Sequence, residues 1–335
     1  MGDVMVSDWS SRRVLVSGAG GFIGSHLTEL LARRGANVRA FVRYNSRNDY
    51  GRLELADPEL LAEIEVYVGD LANPEAVARA ASGCEVIFHL GALIPIPYSY
   101  RHPREFVTSN VEGTLNVLEA ARSQELARIV CVSSSEVYGT AQTARISESH
   151  PLQAQSPYAA TKIAADQLAL SYWRAFGTPV VVARPFNTYG PRQSARAIIP
   201  TLISQALSHG KVEVGSTSPS RDFLFVEDTA AGILRCAEVD GIEGEVINLG
   251  TGLEISIGAL AERIFHLIGR DPKLATVAER TRPAASEVER LCADTTKAES
   301  RLDWRPSIEL DEGLRRTILW IADSLELFKT TIYNV

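Results

Sequence analysis

The chain has 335 residues, 45% of them hydrophobic and 22% charged, which is ample apolar material for one large domain or two sharing a boundary. A net charge of −7 does not suit a nucleic-acid binder, which carries a basic face. No apolar run approaches the ~20 residues that span a bilayer, so no membrane partner is expected.

In chain order, Met1 to Val6 lacks a basic segment followed by an apolar run, so no signal peptide is read there. Val6 stands where a myristoylation motif wants Ser or Thr. Arg13–Ser17 is the first predicted strand, followed by a helix from about Ile23 to Arg34 that Gly35 closes. Further strands are predicted at Val38–Val42, Ile64–Val68, Val86–Leu90, Ile129–Ser133 and Val180–Arg184. Their near-continuous apolar character fits parallel strands buried on both faces, and the strand–helix alternation predicts an α/β fold with a doubly wound parallel Rossmann sheet. Ligands in that architecture bind at the carboxyl ends of the strands.

After Pro185 the pattern loosens. Helices are predicted at Ile198–His209 and Ser256–Ile268, a strand at Glu245–Leu249, and an extended stretch from Arg221 to Asp228 leading into a helix through Cys236. The polar, Pro-containing segment Asp271–Glu289 reads as a loop. The expected division is a dinucleotide-binding domain over residues 1–184, with 226–250 returning to it, and a smaller substrate-binding lobe over 185–335. Cys84, Cys131, Cys236 and Cys292 are scattered, and neither they nor the six histidines show metal-ligand spacing. Reduced cysteines, a cytoplasmic location and no metal site are the expectation.

The first strand runs into Gly18-Ala19-Gly20-Gly21-Phe22-Ile23-Gly24. Gly18, Gly21 and Gly24 suit a turn that lets the backbone approach a pyrophosphate, with the amides of the Phe22–Ile23 helix start facing it. After the second strand an acidic residue would bind the ribose 2′-OH of NAD; this chain has Val42-Arg43-Tyr44. Arg43 can pair with a 2′-phosphate, which favours NADP modestly, whereas a solvated Arg43 on adenine leaves NAD open. Asp70-Leu71 suits an adenine-edge contact, and an Asp that caps its own turn fits the residues equally well. Leu90 and Ala92, around Gly91, lie where the backbone passes the cofactor.

The fifth strand ends in Ser133-Ser134-Ser135-Glu136, and Tyr158 and Lys162 lie four apart on one face of a predicted helix. A nearby ammonium stabilises a phenolate and lowers the Tyr pKa, while a Ser134 hydroxyl opposite can hold a substrate oxygen. Chance Tyr-x-x-x-Lys pairs are common; the serine run and the glycine turn together make this one informative.

With these residues in view, the chain resembles the extended short-chain dehydrogenases of the nucleotide-sugar epimerase/dehydratase family. The likeness runs from about Arg12 to the C-terminal helix. It includes Asn110-Val111-Glu112-Gly113-Thr114, Arg184-Pro185-Phe186-Asn187-Thr188-Tyr189-Gly190-Pro191-Arg192 and Arg221-Asp222-Phe223. It implies that Asn187 contacts the sugar diphosphate and that Arg192 and Arg221 lie near its phosphates, with Arg282 a further phosphate clamp or a solvated loop residue. It also implies a tightly held, recycled NADP or NAD and transient oxidation of sugar C4.

Hexose 4,6-dehydratases of the family carry Asp–Glu where this chain has Ser135–Glu136. The resemblance therefore keeps Glu136 as the C5 base and leaves the C6 acid to Glu136 acting through Ser135 or water. Ile94–Tyr100 and Gly190–Arg196 are similar to the bacterial N-acetylglucosamine nucleotide 4,6-dehydratases of nonulosonic-sugar synthesis, and to the 5,6-dehydratases that stop at an enol ether. The expected substrate is UDP- or GDP-N-acetylglucosamine. A UDP-glucuronate decarboxylase shares the Ser–Glu pair, but no Arg closely precedes Tyr158 to hold a carboxylate. A 4-epimerase or a non-catalytic dinucleotide-binding protein would use the same fold, and both stay open. The helices near Arg104–Arg122 and Tyr158–Ala175 resemble those that pair subunits, so a homodimer is expected; the plainer reading is that they cover the sheet.

Overall fold

A computed structural model of the chain describes residues 8–332. The stretch Met1–Val6, read above for targeting signals, lies outside them. β1 (Arg13–Ser17), α1 (Phe22–Arg33), β2 (Asn37–Val42), α2 (Pro58–Glu63), β3 (Glu65–Val68), α3 (Pro74–Ala81) and β4 (Val86–His89) alternate as expected. α4 (Ile96–Arg101), α5 (Pro103–Phe106), a π-helical turn at Val107–Glu112 and α6 (Gly113–Ser123) lead to β5 (Arg128–Val132). The long α7 (Pro157–Phe176) precedes β6 (Val180–Pro185).

The second half supplies β7 (Asn187–Tyr189), α8 (Ile198–Ser208), β8 (Lys211–Val214), β9 (Ser220–Arg221), β10 (Phe223–Phe225), α9 (Val226–Glu238) and β11 (Val246–Leu249). It ends with β12 (Ile255–Ser256), α10 (Ile257–Ile268), β13 (Lys273–Thr276), β14 (Arg290–Leu291), α11 (Thr296–Leu302) and α12 (Leu310–Asp323).

Seven strands form the central sheet in the order β11-β6-β5-β4-β1-β2-β3, with every pair parallel. The order reverses between β1 and β4, which opens a crevice at their carboxyl ends. β4 and β6 are buried at every residue, as their unbroken apolar runs require. One apolar core, with Leu27, Val130 and Ile233, lies under α1 and α9; a second, with Val77, Val117 and Ala169, lies under α3, α6 and α7 on the other face. A third, with Leu202, Phe225 and Leu260, gathers α8, β10 and α10.

Two readings of the second half change. Asp271–Glu289 is not wholly a loop, because Lys273–Thr276 pairs in parallel with Lys211–Val214. Such a short strand is held by its partner rather than by its own pattern. The helix after Arg221 starts at Val226, earlier than expected, with Glu227 and Asp228 in its first turn where carboxylates favour the helix dipole.

Candidate active site

The turn after β1 is built by contacts that leave no room for side chains. Gly18 has φ +75°, and a Cβ there would lie 2.7 Å from the Gly91 amide nitrogen. A Cβ on Gly24 would lie 2.1 Å from the Gly18 carbonyl oxygen. At Gly21 the one neighbour within reach among the described residues is that same oxygen, 3.1 Å from a Cβ, so this glycine faces open space. Gly21 is the N-cap of α1 and offers no side chain to the first-turn amides of Phe22 and Ile23. Uncapped amides beside a glycine cradle fit the pyrophosphate of a dinucleotide.

Around the cradle, Arg43 is exposed directly after β2. Asp70 Oδ1 accepts from the Ala72 amide at 2.9 Å, so the carboxylate caps its own turn. Leu71 packs over the path of Gly91 and Gly113, and Leu90 and Ala92 are half-buried beside it. Asn110 fixes this stretch, because it accepts from the Leu93 amide at 2.7 Å and donates to the Leu93 carbonyl at 2.9 Å and to Thr161 Oγ1 at 3.1 Å. Beneath the crevice His89 bridges Ser17 Oγ at 2.7 Å and Thr114 Oγ1 at 3.0 Å. Burial holds it neutral, with a pKa of about 3.

Ser134 follows β5 and caps a 3₁₀ turn, where its Oγ accepts from the Glu136 amide at 3.2 Å. Ser156 caps α7 by accepting from the Ala159 amide at 3.1 Å, and Pro157 occupies the first turn. Tyr158 therefore sits at the start of α7, buried, with its ring edge-on to Phe106 at 6.3 Å. Burial pushes its phenol up to about 12, and a hydrogen bond with the Ser134 hydroxyl pulls the other way. Lys162, one turn on, donates to the Val132 carbonyl at 2.7 Å. Burial lowers its pKa, and the Asp166 carboxylate opposes that. The Lys162 ammonium is engaged with the strand end, and burial outweighs the Ser134 hydrogen bond at Tyr158.

Asp166 is a further turn along α7, and only the structure makes its role visible. Its Oδ2 accepts from Ser133 Oγ at 2.7 Å and from Arg184 Nε and Nη2 at 3.0 and 2.8 Å. Arg184 Nη1 reaches Tyr138 Oη at 2.9 Å, which in turn donates to Asn248 at 2.7 Å. This buried chain fastens β5, β6, β11 and α7 together under the serine run.

Ser135 is buried, with 3% of its surface exposed. Glu136 faces the second lobe, with Arg282 Nη1 3.9 Å from its Oε1. The same Nη1 lies 3.8 Å from Glu287, and Arg221 Nη2 lies 3.4 Å from Glu287. Arg221 and Arg282 thus converge on Glu136 and Glu287; Glu287 sits in an irregular segment with no local signal to find it. Among the described residues, Asn187 Oδ1 and Arg282 Nη1 are buried without a hydrogen-bond partner, as expected of groups kept for a polar ligand. Arg192 differs. With φ +69° the residue turns back, and its Nη2 donates to Glu29 of α1 at 2.7 Å.

The chain matches known proteins over nearly its whole length. The family model described as GDP-mannose 4,6 dehydratase matches residues 15–317. The chain is 32% identical to a UDP-glucuronate 4-epimerase of Thermodesulfobacterium geofontis, covering 94% of this chain and 98% of the relative. It is 31% identical to a dTDP-glucose 4,6-dehydratase of Actinoplanes, covering 92% and 97%. The solved structure of a double mutant of DesIV, a dTDP-glucose 4,6-dehydratase from Streptomyces venezuelae with NAD bound, superposes with a TM-score of 0.85 at 30% identity, covering 95% of this chain and 99% of that one.

Proposed function

The chain belongs to the GDP-mannose 4,6-dehydratase family, and from that premise we propose that it is a nucleotide-sugar 4,6-dehydratase acting on UDP- or GDP-N-acetylglucosamine. The supporting observation is Glu136, a carboxylate on the same turn as Ser134 whose charge is felt at the Tyr158 phenol. A simple C4 epimerisation has no need of a base there. The chemistry supplied by a nicotinamide dinucleotide, when bound, is to accept hydride from C4 and return it at C6.

The chain's own residues do the rest. Ser134 orients the 4-oxygen and Tyr158, as its phenolate, takes the proton, while Lys162 would hold the ribose of the dinucleotide. With C4 a ketone, the C5 proton is acidic and Glu136 removes it. Ser135 is buried and is no acid, so the proton held by Glu136 passes, through Ser135 or a water, to the C6 hydroxyl, which leaves as water; C5 then takes one proton from solvent and Tyr158 gives the 4-hydroxyl proton back to solvent, so that one water is the net loss. Asn187, Arg221 and Arg282 hold the diphosphate.

A second reading is 4-epimerisation, favoured by the absence of an acid at Ser135. Arg282, beside Glu136, also stands where a C6 carboxylate would need a partner, so UDP-glucuronate belongs in the same test. The experiment is mass spectrometry of products from UDP- and GDP-N-acetylglucosamine and UDP-glucuronate. Loss of one water from a hexosamine supports dehydration. An isobaric product, or loss of carbon dioxide, replaces it with epimerisation or decarboxylation. Glu136→Gln is expected to keep dinucleotide binding and stop the loss of water.

The homodimer remains part of the proposal. Val107, Leu115, Trp173 and Phe176 are exposed apolar side chains on the helices that end in α6 and α7, and a second copy would cover them. A cytoplasmic location rests on four free, buried cysteines.

A further inference from the structure

The groups assigned to the reaction lie under cover. Tyr158 has 7% of its surface exposed, and the side chains of Glu136, Arg221 and Glu287 have 12%, 7% and 16%. A ligand the size of a nucleotide sugar cannot touch side chains so covered unless part of the cover opens. The segment 282–287 crosses beside Glu136, with Arg282 and Glu287 turned inward and Pro283, Ala284 and Ala285 exposed on its outer side.

Among the described residues, every backbone–backbone hydrogen bond of 282–287 is internal to it. Ser286 and Glu287 donate to the Pro283 carbonyl at 2.8 and 3.1 Å, and Glu287 also to that of Ala284 at 3.3 Å. Val288 moors the far end, buried with Val137, Tyr138 and Phe186. The middle is tied to the rest of the molecule by side chains. Gln155 Nε2 donates to the Ala285 and Glu287 carbonyls at 3.3 and 3.0 Å. Its Oε1 accepts from the Thr140 amide at 2.6 Å and from Thr140 Oγ1 at 3.2 Å, so the side chain is held at both of its polar atoms. The Ser286 hydroxyl donates to the Gln155 carbonyl. With that hydrogen in use, Tyr100 Oη is the donor in its 2.6 Å bond to Ser286 Oγ. Tyr100 in turn packs on the apolar cluster of Ile96, Phe106 and Tyr158.

We propose that residues 282–287 form a strap that opens to admit the nucleotide sugar, and that Gln155, Ser286 and Tyr100 are the clasp that closes it. Gln155 is a positioning residue: it acts through the strap, by setting where Arg282 and Glu287 stand. The proposal rests on the nucleotide-sugar reading above and deepens it, because closure is what brings Arg282 to the diphosphate beside Glu136. Neutral hydrogen bonds suit a clasp, since each contributes little net stability and a few of them hold a short segment without locking it. Gln155 also directly precedes Ser156, the cap of α7, so the strap closes on the turn that aims the Tyr158 phenol.

The test compares the full-length parent with Gln155→Ala, Ser286→Ala, Tyr100→Phe and the Ser286→Ala/Tyr100→Phe pair. Hydrogen exchange of the free chain, read by mass spectrometry, is expected to quicken about fivefold or more across 282–288 in Gln155→Ala and Ser286→Ala, while β4, β5 and β6 keep the parent's rates. Tyr100→Phe should act in the same direction, and the pair should match Ser286→Ala, because both changes remove the same bond. Stopped-flow binding of UDP and GDP is the second readout. A strap that is open more of the time admits ligand faster, so association should quicken about fivefold or more in Gln155→Ala, with dissociation faster as well. A site that is merely damaged does not bind faster. Unchanged exchange across 282–288 in Gln155→Ala overturns the clasp, and so does exchange that quickens equally in the sheet. Association no faster than the parent's overturns the gate. Failure of the parent to bind either diphosphate overturns the nucleotide-sugar reading and the gate with it, while exchange still decides the clasp. A strap that loosens and gates as expected, in a chain that releases no water from any nucleotide sugar, defeats the dehydratase reading alone.

Discussion

Lys162 donates to the carbonyl oxygen of Val132 at 2.7 Å, so the helix that carries Tyr158 is fastened to the strand end that carries Ser134. The charge and the fastening come from one side chain. Lys162→Met removes both, and Tyr158→Phe removes the proposed proton acceptor. Each is expected to lower turnover by about 10²- to 10⁴-fold. The double variant should lose little more than either alone, because the two act as a unit. Steady-state rates on the nucleotide sugar identified by mass spectrometry check this. Near-parental turnover by Tyr158→Phe removes the phenol from its role.

His26 and His89 set an acid limit on stability. In the folded chain their pKa values fall from 6.5 to about 4 and about 3, chiefly because burial disfavours the charged ring. Below pH 6.5 the unfolded chain therefore holds more protons than the folded one. The stability is fully present above 6.5 and drains as the pH falls towards the folded values, by up to about 1.4 kcal/mol per pH unit for each imidazole. Urea melts at pH 7, 6 and 5 should show this slope. His89→Gln should make it shallower whatever it does to stability at pH 7; an unchanged slope removes His89 as a source.

Gly24→Ala places a methyl 2.1 Å from the Gly18 carbonyl oxygen. The opposing atom belongs to the backbone of the same turn, so no side-chain rotation relieves the clash. The turn must deform, at a cost of about 1–3 kcal/mol, and the amides move off the pyrophosphate position. A lower melting temperature together with at least about tenfold weaker ADP binding is expected. Parental binding of ADP by this variant contradicts the cradle.

Asp166→Asn keeps the shape but removes the negative charge that faces Arg184, a pair in which both side chains are almost fully buried. An uncompensated guanidinium in that place is expected to cost about 3–5 kcal/mol of folding stability. Chemical denaturation measures it, and a loss below about 1 kcal/mol would mean that water or Tyr138 takes over the charge. Arg184→Met combined with Asp166→Leu is expected to recover much of the loss, since an apolar pair replaces a buried ionic one.

The sequence by itself determined what depends on neighbours along the chain. Gly18, Gly21 and Gly24 are spaced for one turn, Tyr158 and Lys162 are one helical turn apart, and the unbroken apolar runs of β4 and β6 require burial on both faces. These features follow from steric and periodic rules acting over a few residues, and so the parallel sheet and the candidate triad of Ser134, Tyr158 and Lys162 were legible. Tertiary structure alone decided the rest. Arg192 meets Glu29 across 163 residues, Arg282 comes near Glu136 from an irregular loop, and β13 exists only against β8. A long charged side chain has many partners within its reach, and local sequence carries no preference among them. Which one it meets is settled by how the packed layers bring distant segments together, and burial then fixes the charge state, as at Tyr158.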